Sequence, residues 1–257
     1  MAETRQIKLY CDNNATMCCK NITVLNLFPT PIKIVENNSF DCSNLVSYCK
    51  KLSKNVERGG KNWITKSVFN TFYTYNICND SKFTVLNNWI NKEVDTFVKE
   101  IGFSGVDGSK TEGWFNLYNK NNYQEWHNHN FHLVSAIYYL KANKNSAKTY
   151  FKNPLLENPN KPVFDSNNPY TWQSYFIEPK DNKLVLFKSD LNHCVESHEN
   201  NSTRITLAYN FSLKSSTPVH MYGKKNKNKN KNYSRNNVIL SLSSRSVGIY
   251  DFRVDTF

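Results

Sequence analysis

At Gly113-Trp114-Phe115-Asn116-Leu117-Tyr118 the chain changes its hydrophobic period to two, and from there to Phe211 it reads as a succession of short strands. Trp114–Tyr118 alternates, and Tyr123–His129 is a second extended segment. Val134–Leu140 is a near-continuous apolar run, the pattern of a strand buried on both faces. Strands are also expected at Lys148–Phe151, Ser174–Ile177, Lys183–Phe187, His193–Glu196 and Arg204–Phe211, with a proline- and asparagine-rich loop over 153–169. Short strands joined by turns, with no helices between them, predict a sandwich or jelly roll.

Upstream the pattern differs. Leu86, Ile90, Val94, Phe97 and Ile101 recur at helical spacing and predict a helix over 82–101 whose apolar stripe is core. A shorter helix, capped by Asp41 or Ser43, carries Leu45, Cys49 and Leu52 on one face. Asn21–Phe28 suits a strand, which Pro29 and Pro31 interrupt, and Ile32–Val35 suits a short edge strand. Gly59-Gly60 breaks the chain. Residues 1–20 show no period and form an arm, 21–112 an entry strand and helical support region, and 113–214 the β core. Residues 215–257 form a basic linker and tail, in which 238–242 and 247–254 are candidate strands.

Composition sets outer limits. With 257 residues, 16 Phe, 15 Tyr and 5 Trp against eight Gly and eight Pro, the chain can build a sizeable β-rich core. The net charge of +12 is concentrated, because Lys224, Lys225, Lys227, Lys229, Lys231 and Arg235 carry six of the charges in one segment. Such a run is ordinarily a solvated linker. Nucleic acid is a partner admitted through 224–235 but not favoured. Seven cysteines in an odd count without a C-x-x-C pair fit free thiols in a reducing compartment. No signal peptide or membrane-spanning run is legible, so a cytoplasmic location is expected, in the host cytoplasm if the chain is viral. The Asn and Lys bias, typical of an AT-rich genome, is the basis for that viral expectation.

Chemistry concentrates in Glu125-Trp126-His127-Asn128-His129, answered by Leu191-Asn192-His193 and Arg204. Two imidazoles at i and i+2 on an extended segment face the same way, and a third from a distant strand completes a three-point set that holds a divalent metal from one side. The alternative is that these histidines are hydrogen-bonded strand residues. Arg204, further along the barrel, is placed to hold a carboxylate bidentately. Tyr118 and Tyr139 are core aromatics by default, or else point their hydroxyls at a bound anion. His132 and His198 fall in loops and read as solvated.

The run Trp114…Tyr118…His127-x-His129…Ser135-Ala136-Ile137-Tyr138-Tyr139-Leu140…Lys183-Leu184-Val185-Leu186-Phe187-x-Ser189…His193…Arg204-Ile205-x-Leu207-x-Tyr209-Asn210-Phe211 resembles the Fe(II)/2-oxoglutarate-dependent oxygenases. It looks most like a small group frequent in phages and marine microbes and related to prolyl hydroxylases. The resemblance covers 113–213 and extends weakly to Phe28-Pro29-Thr30-Pro31. It implies a mainly β fold with flanking helices around a double-stranded β-helix (jelly-roll, cupin-like) core. It also implies Fe(II) on His127 and His193, with His129 where the superfamily has Asp or Glu. His129 is then a third ligand, or that coordination position is open, or Asp190 or Glu125 reaches in. Arg204, Tyr118 and Tyr139 would bind 2-oxoglutarate, and with O2 the implied reaction hydroxylates a prolyl or other amino-acid residue in protein or peptide, releasing succinate and CO2. The 153–171 loop would border the substrate entrance.

Two other functions remain open on sequence. One is a catalytically silent metal-binding or interaction module with a basic partner-binding tail, favoured by His129 in place of a carboxylate. The other is a cupin-like dioxygenase with three histidines and no 2-oxoglutarate, for which Arg204 is dispensable.

Overall fold

The computed structural model describes residues 28–61, 63–103, 106–155 and 168–213, together with the segments Thr4–Gln6 and Thr23–Leu25. The lysine–asparagine run, the expected strands at 238–242 and 247–254, most of the 153–169 loop and most of the 1–20 arm lie outside the described residues.

In chain order the elements are β1 (Thr4–Gln6), β2 (Thr23–Leu25), β3 (Ile32–Glu36), α1 (Ser43–Leu52), β4 (Phe69–Asn70) and α2 (Thr84–Glu100). They continue with β5 (Val106–Tyr118), β6 (Gln124–His127), β7 (Val134–Lys141), β8 (Thr149–Lys152) and β9 (Ser174–Ile177). The last three are β10 (Lys183–Lys188), β11 (His193–Val195) and β12 (Arg204–Leu213). A six-stranded sheet runs β3-β10-β7-β12-β5-β4, a four-stranded one β6-β11-β8-β9, and β1 pairs with β2. The described pairings are all antiparallel. From β5 onward the chain passes back and forth between the large and the small sheet, which is a jelly roll with two helices beside it.

Several expected elements shift. The strand expected from Asn21 to Phe28 is only β2, and its partner β1 lies inside the expected arm. Pairing explains both, since a three-residue strand needs a neighbour's hydrogen bonds more than a hydrophobic pattern. The β5 strand begins at Val106, ahead of the change of period, because the end of β12 pairs with it across a register shift between Asn210 and Ser212. The cap of α1 also differs: the Ser43 N–H donates to the Asp41 carboxylate, and Cys42 occupies the cap position without a side-chain bond.

The α2 stripe is core as expected, with Leu86, Ile90, Val94 and Phe97 buried. It packs on Phe115, Leu117, Leu184, Leu186, Ile205, Leu207, Tyr209 and Phe211, the alternate residues of β5, β10 and β12. Buried Asn87 ties the helix to the sheet, donating to the Ile77 carbonyl at 3.0 Å and accepting from the Tyr209 hydroxyl at 2.9 Å. Gly113 allows the 77–79 turn to approach: a Cβ there would stand 2.8 Å from the Cys78 sulfur and 2.9 Å from Ile77. Cys42, Cys49, Cys78 and Cys194 are free thiols. Among the described residues no helix is long and apolar enough to cross a membrane.

Candidate active site

With the odd positions of β12 turned to the helices, its even positions, Arg204, Thr206, Ala208 and Asn210, turn toward the small sheet. They line a cavity with Trp114, Asn116 and Tyr118 of β5 and with His127, His129 and His193. Register builds the histidine cluster. His193 of β11 stands directly opposite His127 of β6 in the ladder, where cross-strand side chains on one face meet. His129 is not a strand residue, because β6 ends at His127. The chain turns there instead, and the His129 N–H donates to the Ser189 carbonyl at 2.7 Å, drawing the ring in beside the other two. Ring centroids lie 4.2 Å (His127–His193), 5.2 Å (His127–His129) and 5.2 Å (His129–His193) apart. One ligating atom from each of the three falls within 4.8 Å of the others.

The surroundings keep these rings neutral. Burial pushes His193 well below its ordinary value, and burial lowers His127 and takes His129 down to about 3, the neighbouring rings adding to the shift of His129. A neutral imidazole is the form that ligates. Phe151 and Phe187 wall His193, with centroids 6.0 and 4.8 Å from its ring.

Arg204 is 1% exposed, yet its Nε and Nη1 have no hydrogen-bond partner. Nη2 donates to the Thr149 hydroxyl at 3.3 Å. The guanidinium lies 4.6 Å from the Tyr118 ring and 5.1 Å from the Tyr139 ring, so both tyrosines present their faces to it. Arg204 and Tyr118 are direct ladder partners. The Tyr139 hydroxyl is paired with Thr149 at 2.8 Å. Burial raises the Tyr118 phenol, and the charge of Arg204 opposes that shift. Trp114 Nε1, Asn116 Oδ1 and Gln124 Oε1 are likewise buried without partners, and all three residues line the same cavity. Unpaired buried polar atoms are rare and costly, so their gathering in one cavity marks a place for a polar ligand.

Two carboxylates expected as alternative ligands are engaged elsewhere. Glu125 accepts from the Ile64 N–H at 2.9 Å and from the Thr65 hydroxyl. Burial raises its carboxyl, but these hydrogen bonds outweigh it and hold the group below the usual range. It thereby clamps the loop that carries Trp63 to the cavity. Asp190 is exposed and pairs with Lys188 at 3.2 Å. His132 and His198 are not solvated. His198 is fully buried, its Nδ1 accepting from the Ala147 N–H and its Nε2 donating to the Ser202 carbonyl. His132 is half-buried between Ser212 and Glu112. Neither belongs to the cluster.

Sequence reasoning assigned no role to Thr149, Ser135, Ser189 or Asn210, which all touch the site. Asn210 was within reach of it, since the period of two from Arg204 puts positions 206, 208 and 210 on the arginine's face. Thr149 was not, because only the pairing of β8 with β11 brings it opposite Val195 and beside Arg204.

The jelly roll thus brings together a histidine cluster with the donors for a metal and a buried arginine with nitrogens free for a carboxylate. Residues 112–210, from β5 to β12, match the family described as "Putative 2OG-Fe(II) oxygenase". No curated protein matches it in sequence. Among solved structures, a prolyl-4-hydroxylase of Pseudomonas putida aligns with a TM-score of 0.50 at 14% identity, over 72% of this chain and 94% of its own. The non-heme α-ketoglutarate-dependent epimerase SnoN of nogalamycin biosynthesis aligns with a TM-score of 0.53 at 8% identity, over 72% and 77%. The carbocyclase SnoK of the same biosynthesis aligns with a TM-score of 0.51 at 10% identity, over 71% and 79%. At such identities the likeness is one of fold, and a hydroxylase, an epimerase and a carbocyclase share it.

Proposed function

We propose that the protein is an Fe(II)- and 2-oxoglutarate-dependent dioxygenase that hydroxylates a prolyl or other amino-acid residue of a protein or peptide, with release of succinate and CO2. The observation that carries this is Arg204: a buried guanidinium with two unpaired nitrogens, on the same face of the barrel as the three histidines.

The residues present fit both groups. The donor set of three neutral imidazoles suits a borderline divalent metal, and His127, His193 and His129 would hold it. The free nitrogens of Arg204 suit a planar carboxylate, which they would take bidentately, with Tyr118 and Tyr139 fixing the guanidinium plane between their faces. When bound, the iron and 2-oxoglutarate supply the oxidising chemistry with O2. This chain's own part is geometry and exclusion. Phe151 and Phe187 keep water from His193, the Glu125 clamp holds Trp63 against the cavity, and Thr149 links Arg204 to Tyr139.

A second function is favoured by one observation: among the described residues no carboxylate joins the histidine cluster, so a divalent ion bound by it alone keeps its full charge. On that account the barrel is a metal-binding interaction module, with 224–235 contacting nucleic acid or an acidic partner.

Anaerobic titration with Fe(II) and 2-oxoglutarate separates the two. A weak visible charge-transfer band in the native protein, weakened in Arg204→Ala, is expected. No band in the native protein but one in His129→Asp would establish the silent module. Metal binding without a band, together with turnover that needs no 2-oxoglutarate and survives Arg204→Ala, would leave a three-histidine dioxygenase that does not use 2-oxoglutarate.

A further inference from the structure

The three histidines are not equivalent, and the difference lies behind them. His127 Nδ1 is 2.7 Å from the Glu125 carbonyl, and His193 Nδ1 is 3.0 Å from the Leu191 carbonyl. A carbonyl oxygen has no proton to give, so each Nδ1 carries the single proton of a neutral ring. Nε2 of both therefore has a lone pair, which is how a backing hydrogen bond readies a histidine for metal.

His129 has the opposite backing. Its Nδ1 faces Nδ2 of Asn210 at 3.4 Å. An amide nitrogen donates and does not accept, so this Nδ1 is an acceptor and the ring's one proton sits on Nε2. In that state neither nitrogen of His129 has a lone pair to spare. The amide is held from its other end: its Oδ1 accepts from the Ser135 hydroxyl at 2.9 Å, which is itself 2.9 Å from the Ser189 hydroxyl. Asn210, Ser135 and Ser189 are all buried. Hydroxyls donate and accept equally well, so turning the amide over is also fully satisfied. Oδ1 then accepts from His129 Nδ1–H, Nδ2 donates to Ser135, and Ser135 donates to Ser189. The ring's proton moves from Nε2 to Nδ1 with no net gain or loss.

We propose that Asn210, keyed by Ser135 and Ser189, is the positioning residue that sets whether His129 is a metal ligand. With the amide as found, the site is a two-histidine one and His129 Nε2 keeps its proton. With the amide reversed, His129 is the third ligand. The proposal deepens the metal-site function above and rests on it only for its consequence, because the tautomers belong to the metal-free protein.

The test is long-range 1H–15N correlation NMR on the metal-free, histidine-labelled full chain at neutral pH. His127 and His193 are expected as Nδ1–H tautomers and His129 as Nε2–H. In Asn210→Asp, whose carboxylate at that pH only accepts, His129 is expected to convert to Nδ1–H while the other two stay unchanged. Affinity for Co(II) alone is then expected to tighten by about 10- to 100-fold, the usual span of such backing effects. Ser135→Ala, which removes the hold on the amide, is expected to give both His129 tautomers and keeps the test decisive should the Asp variant not fold. His129 found as Nδ1–H in the native protein would overturn the proposal. So would an Asn210→Asp variant whose His129 tautomer or Co(II) affinity is unchanged. Loss of the oxygenase function itself would show separately, as absence of 2-oxoglutarate binding, and would leave these metal-free signals as they are.

Discussion

The two faces of the large sheet are built from the same strands and differ in almost every physical respect. On β12, Ile205, Leu207, Tyr209 and Phe211 join the apolar cluster under α2, while Arg204, Thr206 and Asn210 face the cavity. On β5, Phe115 and Leu117 face the helix, and Trp114, Asn116 and Tyr118 face the cavity. The helix face is satisfied by non-directional burial. The cavity face instead carries buried donors and acceptors, several of them unpaired, and each of those costs stability. Stability and chemistry are thus segregated across one sheet by nothing more than the alternation of side chains.

Substitutions on the two faces should therefore have opposite signs. The largest effect is expected on the helix face, where Phe115→Ala removes a fully buried ring and should lower the unfolding free energy by about 3–5 kcal/mol in a urea titration. Arg204→Met on the cavity face should do the reverse in metal-free protein. Removing two unpaired buried donors is expected to raise stability by about 1–3 kcal/mol, while 2-oxoglutarate binding is lost. A fall in stability would show the guanidinium to be structural rather than held for a ligand.

Acid should also act on the cavity face. The imidazoles of His127, His129 and His193 sit below their ordinary value in the folded state, so the unfolded chain takes up protons first. Stability is full above about pH 6.5 and is lost as pH falls toward the folded values, which for His129 means toward about 3. Each histidine that stays neutral contributes a slope approaching about 1.4 kcal/mol per pH unit. His129→Phe in metal-free protein should flatten the acid limb by one such group. Smallest of all is the surface link between β3 and α2, where Lys33 pairs with Glu93 and Glu100 at 3.4 Å. Lys33→Ala should change stability by about 0–1 kcal/mol, and less at high salt.

The helix face was legible from residue order, because burial needs only a period: 3.6 for α2, 2 for the strands. Of the site, the three histidines and Arg204 stood out as residue types at telling intervals, and the barrel does gather them. His127 and His129 do not share one strand as their i and i+2 spacing predicts, since β6 stops at His127 and His129 is drawn in by the Ser189 carbonyl. His198 looked solvated because polar residues surround it in sequence, yet its partners, Ala147 and Ser202, bury it. Contacts such as Thr149 with Arg204 join residues far apart in the chain, and no local pattern records them.

By itself the sequence determined both helices and most strands of the β core, which faces are apolar, and which side chains have metal- and carboxylate-binding chemistry. These follow from periodicity and functional groups, which are local. Only the tertiary structure decided that His193 stands opposite His127, that Arg204 lies between two tyrosine faces with nitrogens to spare, and that Asn210 backs His129 where carbonyls back the other two. Those follow from register and from which buried atoms find partners, and both are settled only when distant strands meet.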